Sequence, residues 1–363
     1  MMPKVLQQIL QLKAKDIKIG TKVVGYNHPL YFIAEAGVNH NGNVKLALKM
    51  IEAAQKAGAD AVKFQTFKAE QVCLSNSPTP NYQKKDTCAA TQWQILKSAE
   101  LKESDYPILL KKAKKLKIDF LSTPHGHIES VKFLARIGVP AFKVGSGDIT
   151  NWPLLIFLAK QDKPILLSTG IATLGEIKEA VQAIDKNGGQ VIILHCNTNY
   201  PTPPKEANLA ALFDLYRNFP DKLIGYSDHT VIAESCLTAV SFGARVIEAH
   251  FTLDKNLPGP DQKASFNPEE LKDLIRRVRL TEKILGEGFK KPNKGELVMA
   301  PLVRKSITTI KNIKKGEFFS EKNLTIRRPE KGGLKPKYWD KIVGKKATRN
   351  ISLNTQLKKG DWK

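Results

Sequence analysis

The chain has 363 residues and a mass of 40.4 kDa, with 42% hydrophobic and 26% charged residues and a mean hydropathy of −0.29. It carries 58 Lys and Arg against 35 Asp and Glu, a net charge of +23. That composition suits a globular protein with one large domain and a smaller one, and it argues against disordered and membrane classes.

No apolar run approaches the roughly 18 residues needed to cross a bilayer. The N-terminal MMPKVLQQILQLKAKDIKIG interrupts its apolar residues with Gln and Lys, unlike a signal-peptide core. Cys73, Cys88, Cys196 and Cys236 lie far apart and form no CxxC pair, which excludes a zinc knuckle and a disulfide framework. The expectation is a reduced, cytoplasmic protein. Its basic residues are scattered as single lysines or short pairs, and aromatics make up only 7%. A nucleic-acid stripe is therefore not expected, whereas attraction of small anions is.

In chain order, IKIG and KVVGYNHP read as a small hairpin placed to plug the lower end of the larger domain. Eight short apolar runs come next: YFIAEA (31–36), AVKFQTF (61–67), IDFLST (118–123), AFKVGS (141–146), PILLST (164–169), QVIILHC (190–196), KLIGYSD (222–228) and ARVIEAHF (244–251). All are rich in β-branched and aromatic residues, as strands buried on both faces should be. Amphipathic stretches such as VKLALKMIEAAQKAGAD and LGEIKEAVQAIDKNGG lie between them, the second ending in a Gly pair suited to a C-cap. Repeated strand-then-helix units predict an α/β fold, a (β/α)8 TIM barrel. A doubly wound sheet would show a glycine-rich phosphate turn after its first strand, and GVNHNG is not one. The connection 68–100 is unusually long and would sit on the catalytic rim.

The pattern changes near residue 286, so the expected domains are a barrel with its hairpin (1–286), a Gly/Pro/Lys linker (287–301) and a small strand-and-turn domain (302–363). From 287 onward 21 basic residues face 7 acidic ones, so +14 of the +23 lies there.

On such a barrel the C-terminal strand ends share one mouth. They offer Glu35; Lys63 and Gln65; Thr123; Lys143, Ser146 and Asp148; Ser168 and Thr169; His195; Ser227, Asp228 and His229; and Glu248 and His250. Two lysines among hydroxyls make a phosphate or carboxylate site. His229 and His250 close neighbouring strands and either share a divalent metal or form a hydrogen-bonded pair; spacing leaves both open. Glu35, before the glycines of GVNHNG, is a candidate acid/base or sugar-hydroxyl partner, with a purely structural loop as the alternative. His28, His125 and His127 are expected in solvated loops.

IAEAGVNHNG, KFQTFKAE, FLSTP, FKVGSGD, LSTG, HCNTNYPTP, GYSDHT and EAHFTLDKNLPGPD resemble, in order, the signature stretches of the sialic acid synthase family. These enzymes condense phosphoenolpyruvate with an N-acetylated hexosamine to give nine-carbon 2-keto acids. RKSITTIKNIKKGEFFSEKNLTIRRPEKGG resembles the antifreeze-like (SAF) domain that ends them, and the likeness spans roughly residues 17–363.

The resemblance implies that His229 and His250 bind Mn²⁺, with Mg²⁺ or Co²⁺ as alternatives. It implies that Lys63, Thr123, Lys143, Ser146, Ser168 and Ser227 hold phosphoenolpyruvate, and that Tyr200, Gln65, Glu248 and Asp261 line the sugar side. It makes Glu35 the acid/base and the protein a domain-swapped homodimer in which Arg328 reaches the sugar's acyl-amido group in trans. Asp148, a further substrate-side residue, stands where some members carry Glu. Thr198 stands where some carry Asn, and is not assigned a role. The wording of AEAGVNHNG and KFQTFKAE, and the NYQ of the long loop, look like the branch containing bacterial neuraminic and legionaminic synthases. The acceptor is then N-acetylmannosamine or a 2,4-diacetamido-trideoxyhexose, selected within the loop of about residues 70–98. Two other readings compete: a Schiff-base aldolase acting through Lys143, and a carbohydrate- or ice-binding protein on a degenerate barrel. The His229/His250 pair and a second mouth lysine, Lys63, argue against the first, and the polar strand ends argue against the second.

Overall fold

Strands without a wet face can be satisfied only by helices on one side and each other on the other, and closure leaves no unpaired edge. In the computed structural model, which describes residues 1–79, 91–125 and 127–363, the eight runs form a closed parallel barrel. After a hairpin of β1 (Ile17–Ile19) and β2 (Lys22–Val24), its strands are β3 (Tyr31–Gly37), β4 (Ala61–Thr66), β5 (Asp119–Pro124), β6 (Phe142–Val144), β7 (Ile165–Ser168), β8 (Val191–Cys196), β9 (Leu223–Asp228) and β10 (Val246–His250). β10 pairs with β3, so strand order follows chain order around the ring.

The intervening helices start and stop on local signals. Asn43 accepts from the Lys45 and Leu46 amides to begin Val44–Ala57, and Gly58 ends it at φ +91°. Capping boxes, Thr173 with Glu176 and Asn267 with Glu270, open Leu174–Lys186 and Pro268–Leu285. Among the described residues no helix is long and apolar enough to cross a membrane.

The hairpin lies at the N-terminal strand ends: Ile19 and Val24 join the barrel core, and Lys22 pairs with Asp60, just before β4. A charged network ties this end together. Arg245, 1% exposed, donates to the carbonyls of Gly25 and His28 and to Glu282 Oε1 at 3.1 Å. Glu282 also accepts from the Leu30 amide at 2.9 Å and from the N-terminal ammonium at 2.8 Å.

Gly225 sits in β9 opposite Leu194 of β8, where a Cβ would fall 2.6 Å from both Leu194 Cδ2 and the Val246 carbonyl oxygen. Gly225→Ala is expected to cost about 1–3 kcal/mol through overpacking, read from urea unfolding of the full chain.

The chain divides into two units, Met1–Gly288 and Phe289–Lys363. In the second, β11 (Ser306–Thr309) pairs antiparallel with β12 (Leu324–Arg327) beside a core that includes Ile307, Phe319, Leu324 and Ile351. Within the stretch read as a linker, Lys294–Val303 is a helix, capped by Asn293 and Glu296. The sequence reading missed it because Gly295 and Pro301 weaken a helical pattern, whereas the capping box favours one. The NYQ segment (81–83) and Cys88 lie outside the described residues.

Candidate active site

Side chains alternate along a barrel strand, so residues two apart point to one face. Lys63 and Gln65 share a face on β4, as do Glu248 and His250 on β10. The register sets Glu35 beside both Lys63 and His250, and Gln65 beside Thr123. A register shift between Glu35 and Gly37 re-aims the end of β3. Gly37 has φ +53°, and a Cβ there would lie 3.5 Å from Glu35 Oε1 and 3.7 Å from His250 Cε1.

The floor of the mouth is a buried ionic cluster. Lys63 Nζ lies 2.7 Å from Glu35 Oε2 and 3.8 Å from Glu248 Oε2, and donates to Thr123 Oγ1 at 3.1 Å. Lys143 Nζ lies 3.7 Å from Glu248 Oε1 and donates to Ser168 Oγ at 2.6 Å. Ser227 donates to Glu248 Oε1 at 2.9 Å, and Ser146 Oγ accepts the Gly170 amide at 3.0 Å.

This cluster separates the two carboxylates. Burial pushes Glu35 up to about 7, with Lys63 opposing and Glu248 adding to the rise. Burial also works against ionised Glu248, but the Lys143 and Lys63 ammoniums outweigh it and hold that group at about 2. Burial lowers Lys143, whereas Glu248 and Glu35 raise Lys63 against the same effect. One carboxyl is thus poised to exchange a proton near neutrality and the other is a fixed anion.

Above the floor, Tyr200 stacks near the histidines, with ring centroids 4.1 Å from His229 and 5.6 Å from His250. The two imidazoles are 5.2 Å apart, centroid to centroid. His229 Nδ1 hydrogen-bonds the Asn197 carbonyl; burial works against a charged ring, but Cys196, bonded to it, and that carbonyl outweigh burial and raise the imidazole above its ordinary value. His250 Nδ1 is buried without a partner, and burial, with His229 beside it, keeps that ring neutral. A divalent cation would be held by the two imidazoles once His229 gives up its proton, since an imidazole binds metal only when neutral. Among the described residues no group of three or more His, Cys, Asp or Glu forms a ready-made cation site.

Val38, Val72, Ile95, Leu96 and Ala99 build an apolar wall around the same opening, facing Gln65, His125, Tyr200, His250 and Asp261. Burial raises Asp261 to about 6, opposed by His229.

Several placements differ from the sequence reading. His195 turns away, with Nε2 on the Ala207 carbonyl at 2.9 Å and its ring stacked on Tyr226. Its neighbour Cys196 faces the mouth instead, 3.3 Å from Ser146 Oγ. His125 lines the mouth and lies 4.0 Å from Asp148, because β5 runs on to Pro124 and carries it there. Asp148 ends a 3-10 turn at the rim and accepts from Asn151 at 3.2 Å. His28 pairs with Asp16, and His127 caps the helix Ile128–Arg136. Arg328 belongs to the second unit, exposed beside Arg327 and Asn354. The apolar wall went unread because Val72 and the Gln92–Ala99 helix carry only ordinary amphipathic spacing.

The NeuB family model matches residues 50–290, and the SAF domain model matches residues 304–361. N,N'-diacetyllegionaminic acid synthase from Campylobacter jejuni is 48% identical over 88% of this chain and 96% of its own length. Human N-acetylneuraminate-9-phosphate synthase is 34% identical over 89% of this chain and 90% of its own. The solved N-acetylneuraminic acid (sialic acid) synthetase of Leptospira borgpetersenii, in complex with citrate, superposes with a TM-score of 0.72 at 35% identity, covering 78% of this chain and 95% of that one. With a polar mouth on an eight-stranded barrel, and both domain models matched in order, the chain belongs to the NeuB family and ends in a SAF domain.

Proposed function

We propose that this protein is a nonulosonic acid synthase that condenses phosphoenolpyruvate with a 2,4-diacetamido-trideoxymannose, giving a legionaminic-type 2-keto acid and phosphate. The supporting observation is the division of the mouth into a hydroxyl-lined floor, where two lysines are paired with two carboxyls, and an apolar wall. The floor suits a small dianion or trianion. The wall of Val38, Val72, Ile95 and Leu96 suits an acceptor whose deoxy methyl and acetamido methyls replace hydroxyls. N-acetylmannosamine, which presents a hydroxymethyl group, is the alternative acceptor. The similarity to the Campylobacter jejuni synthase supports the same choice.

In this reading C3 of phosphoenolpyruvate attacks C1 of the open-chain aldehyde, and positive charge develops at C2. Water adds at C2, and the tetrahedral phosphate hemiketal then loses phosphate by C–O cleavage. Lys63, Lys143, Ser146, Ser168 and Ser227 hold the carboxylate and phosphate through charge-assisted hydrogen bonds. Glu35 takes the proton of the water adding at C2, the alkoxide formed at C1 takes up one proton in its place, and the hemiketal hydroxyl proton leaves with phosphate as hydrogen phosphate. Glu248 stays ionised and keeps both ammoniums aligned. A divalent ion held by His229 and His250, most simply Mn²⁺, would supply Lewis-acid polarisation of the aldehyde oxygen. We assign the protein to the cytoplasm and to a domain-swapped homodimer, in which Arg328 of one subunit serves the sugar bound by the other.

The test is phosphate release from phosphoenolpyruvate with Mn²⁺, across N-acetylmannosamine, its 6-phosphate and the two diacetamido-trideoxyhexoses, with an EDTA control. Release that requires metal and is fastest with the legionaminic precursor is expected. Equal or faster release with N-acetylmannosamine would overturn the acceptor assignment. The burial-lowered Lys143 keeps a Schiff-base aldolase as a second reading, and borohydride trapping with substrate should fail to label this chain.

A further inference from the structure

We infer that Gln262 is a positioning residue for the acceptor sugar, locking the loop that presents Asp261 onto the loop after Glu35. The inference rests on the reading of Asp261 as sugar-facing. Gln262 is 1% exposed and does not line the mouth. Its Nε2 donates to the Asn39 carbonyl at 3.1 Å and to the Pro258 carbonyl at 3.4 Å, while its Oε1 accepts from the Thr252 hydroxyl.

The lock is reciprocal. Asn39, 2% exposed, donates from Nδ2 to the Phe251 carbonyl and to Ser265 Oγ, both at 2.9 Å, and Ser265 donates to the Asp261 carbonyl at 2.6 Å. Asn41 adds a bond to the Pro258 carbonyl at 2.7 Å. Gly259 makes the close approach possible, since a Cβ there would lie 2.9 Å from Asn41 Oδ1 and 3.0 Å from Gln262 Nε2.

Backbone bonds from Thr252 to Phe266 and from Phe266 to His250 close the base of segment 251–267, which has no helix or strand of its own, and these side-chain bonds hold the span between them that carries Asp261. Removing that amide takes the donor from the buried Asn39 carbonyl, while the Pro258 carbonyl keeps Asn41 and the Thr252 hydroxyl keeps the Asp254 carbonyl, so the loop loses its tie to Asn39 and relaxes. A shift of about 1 Å in a group that orients substrate costs up to about 100-fold. The phosphoenolpyruvate set sits on or beside the strand ends and makes no hydrogen bond to Gln262. The loss should therefore fall on one substrate.

The experiment is steady-state kinetics on the full-length, Mn²⁺-loaded protein, varying acceptor and phosphoenolpyruvate separately, for wild type, Gln262→Met and Asn39→Ala. Expected is a rise of about tenfold or more in KM for the acceptor, with KM for phosphoenolpyruvate held within about twofold. A parallel rise in both constants, or no change in either, overturns the inference. If both variants fail to fold, Asn41→Ala, which removes a single half-exposed bond, should give a smaller shift of the same acceptor-only kind; an unsplit result there also overturns it. Wild-type protein without acceptor-dependent phosphate release would overturn the reading of the site together with this role. Normal wild-type turnover with unsplit variants would overturn this role alone.

Discussion

Glu35→Gln is expected to lower kcat by about 10²–10⁴-fold while leaving phosphoenolpyruvate affinity nearly unchanged. The substitution keeps the shape of the side chain and removes only its ability to exchange a proton. Among the buried acidic groups at the mouth floor, Glu35 is the one brought close to neutrality, at about 7, whereas Glu248 is held near 2. Glu248 therefore cannot stand in for it. Lys63 keeps Glu248 as a counter-charge at 3.8 Å and Thr123 as a hydrogen-bond partner, so the anion-binding floor survives the change. Single-turnover phosphate release and phosphoenolpyruvate titration by calorimetry separate the two effects. Wild-type turnover in the variant would remove Glu35 from the proton pathway.

Glu282→Ala is expected to destabilise the barrel by about 3–5 kcal/mol, because it strands the guanidinium of Arg245 in a site where that group is 1% exposed. It also leaves the Leu30 amide without its acceptor at the start of β3. The remaining bonds of Arg245 run to backbone carbonyls, which supply dipoles but no compensating charge. The carboxyl disfavours ionisation through burial, yet the N-terminal ammonium and Arg245 outweigh this and hold its pKa below the ordinary value. A depressed folded-state pKa contributes stability above the unfolded-state value, lost as pH falls through the folded one. The gap between wild type and variant should therefore be full at pH 7 and narrow below about pH 4. Urea unfolding across that range checks both statements, and a pH-independent gap would exclude the ionic explanation.

The eight strands were legible because each is short, β-branched and bounded by helical spacing, a pattern carried within about ten residues. Their polar ends were legible for the same reason, and Glu35, Lys63, Lys143, Glu248 and the two histidines meet at one mouth. His195 and His125 show where that reading fails. Parity along β8 puts His195 opposite Cys196, so only one of the two can face inward, and the chain turns Cys196 toward Ser146. His125 comes after Pro124 and reads as a loop residue, but barrel closure carries it onto the rim.

Some of the chemistry is local in origin: strand alternation, helix caps and the order of lysines, hydroxyls and histidines along the chain are set by neighbouring residues. The acidities and the lock between loops are not. Glu35 and Glu248 have the same side chain, and they titrate apart because residues 28 and 105–213 positions away set different fields around them. Asn39 and Gln262 are 223 positions apart, yet they share a hydrogen bond. Electrostatics and buried hydrogen bonds depend on distance in space, so they exist only once the barrel has closed β10 onto β3.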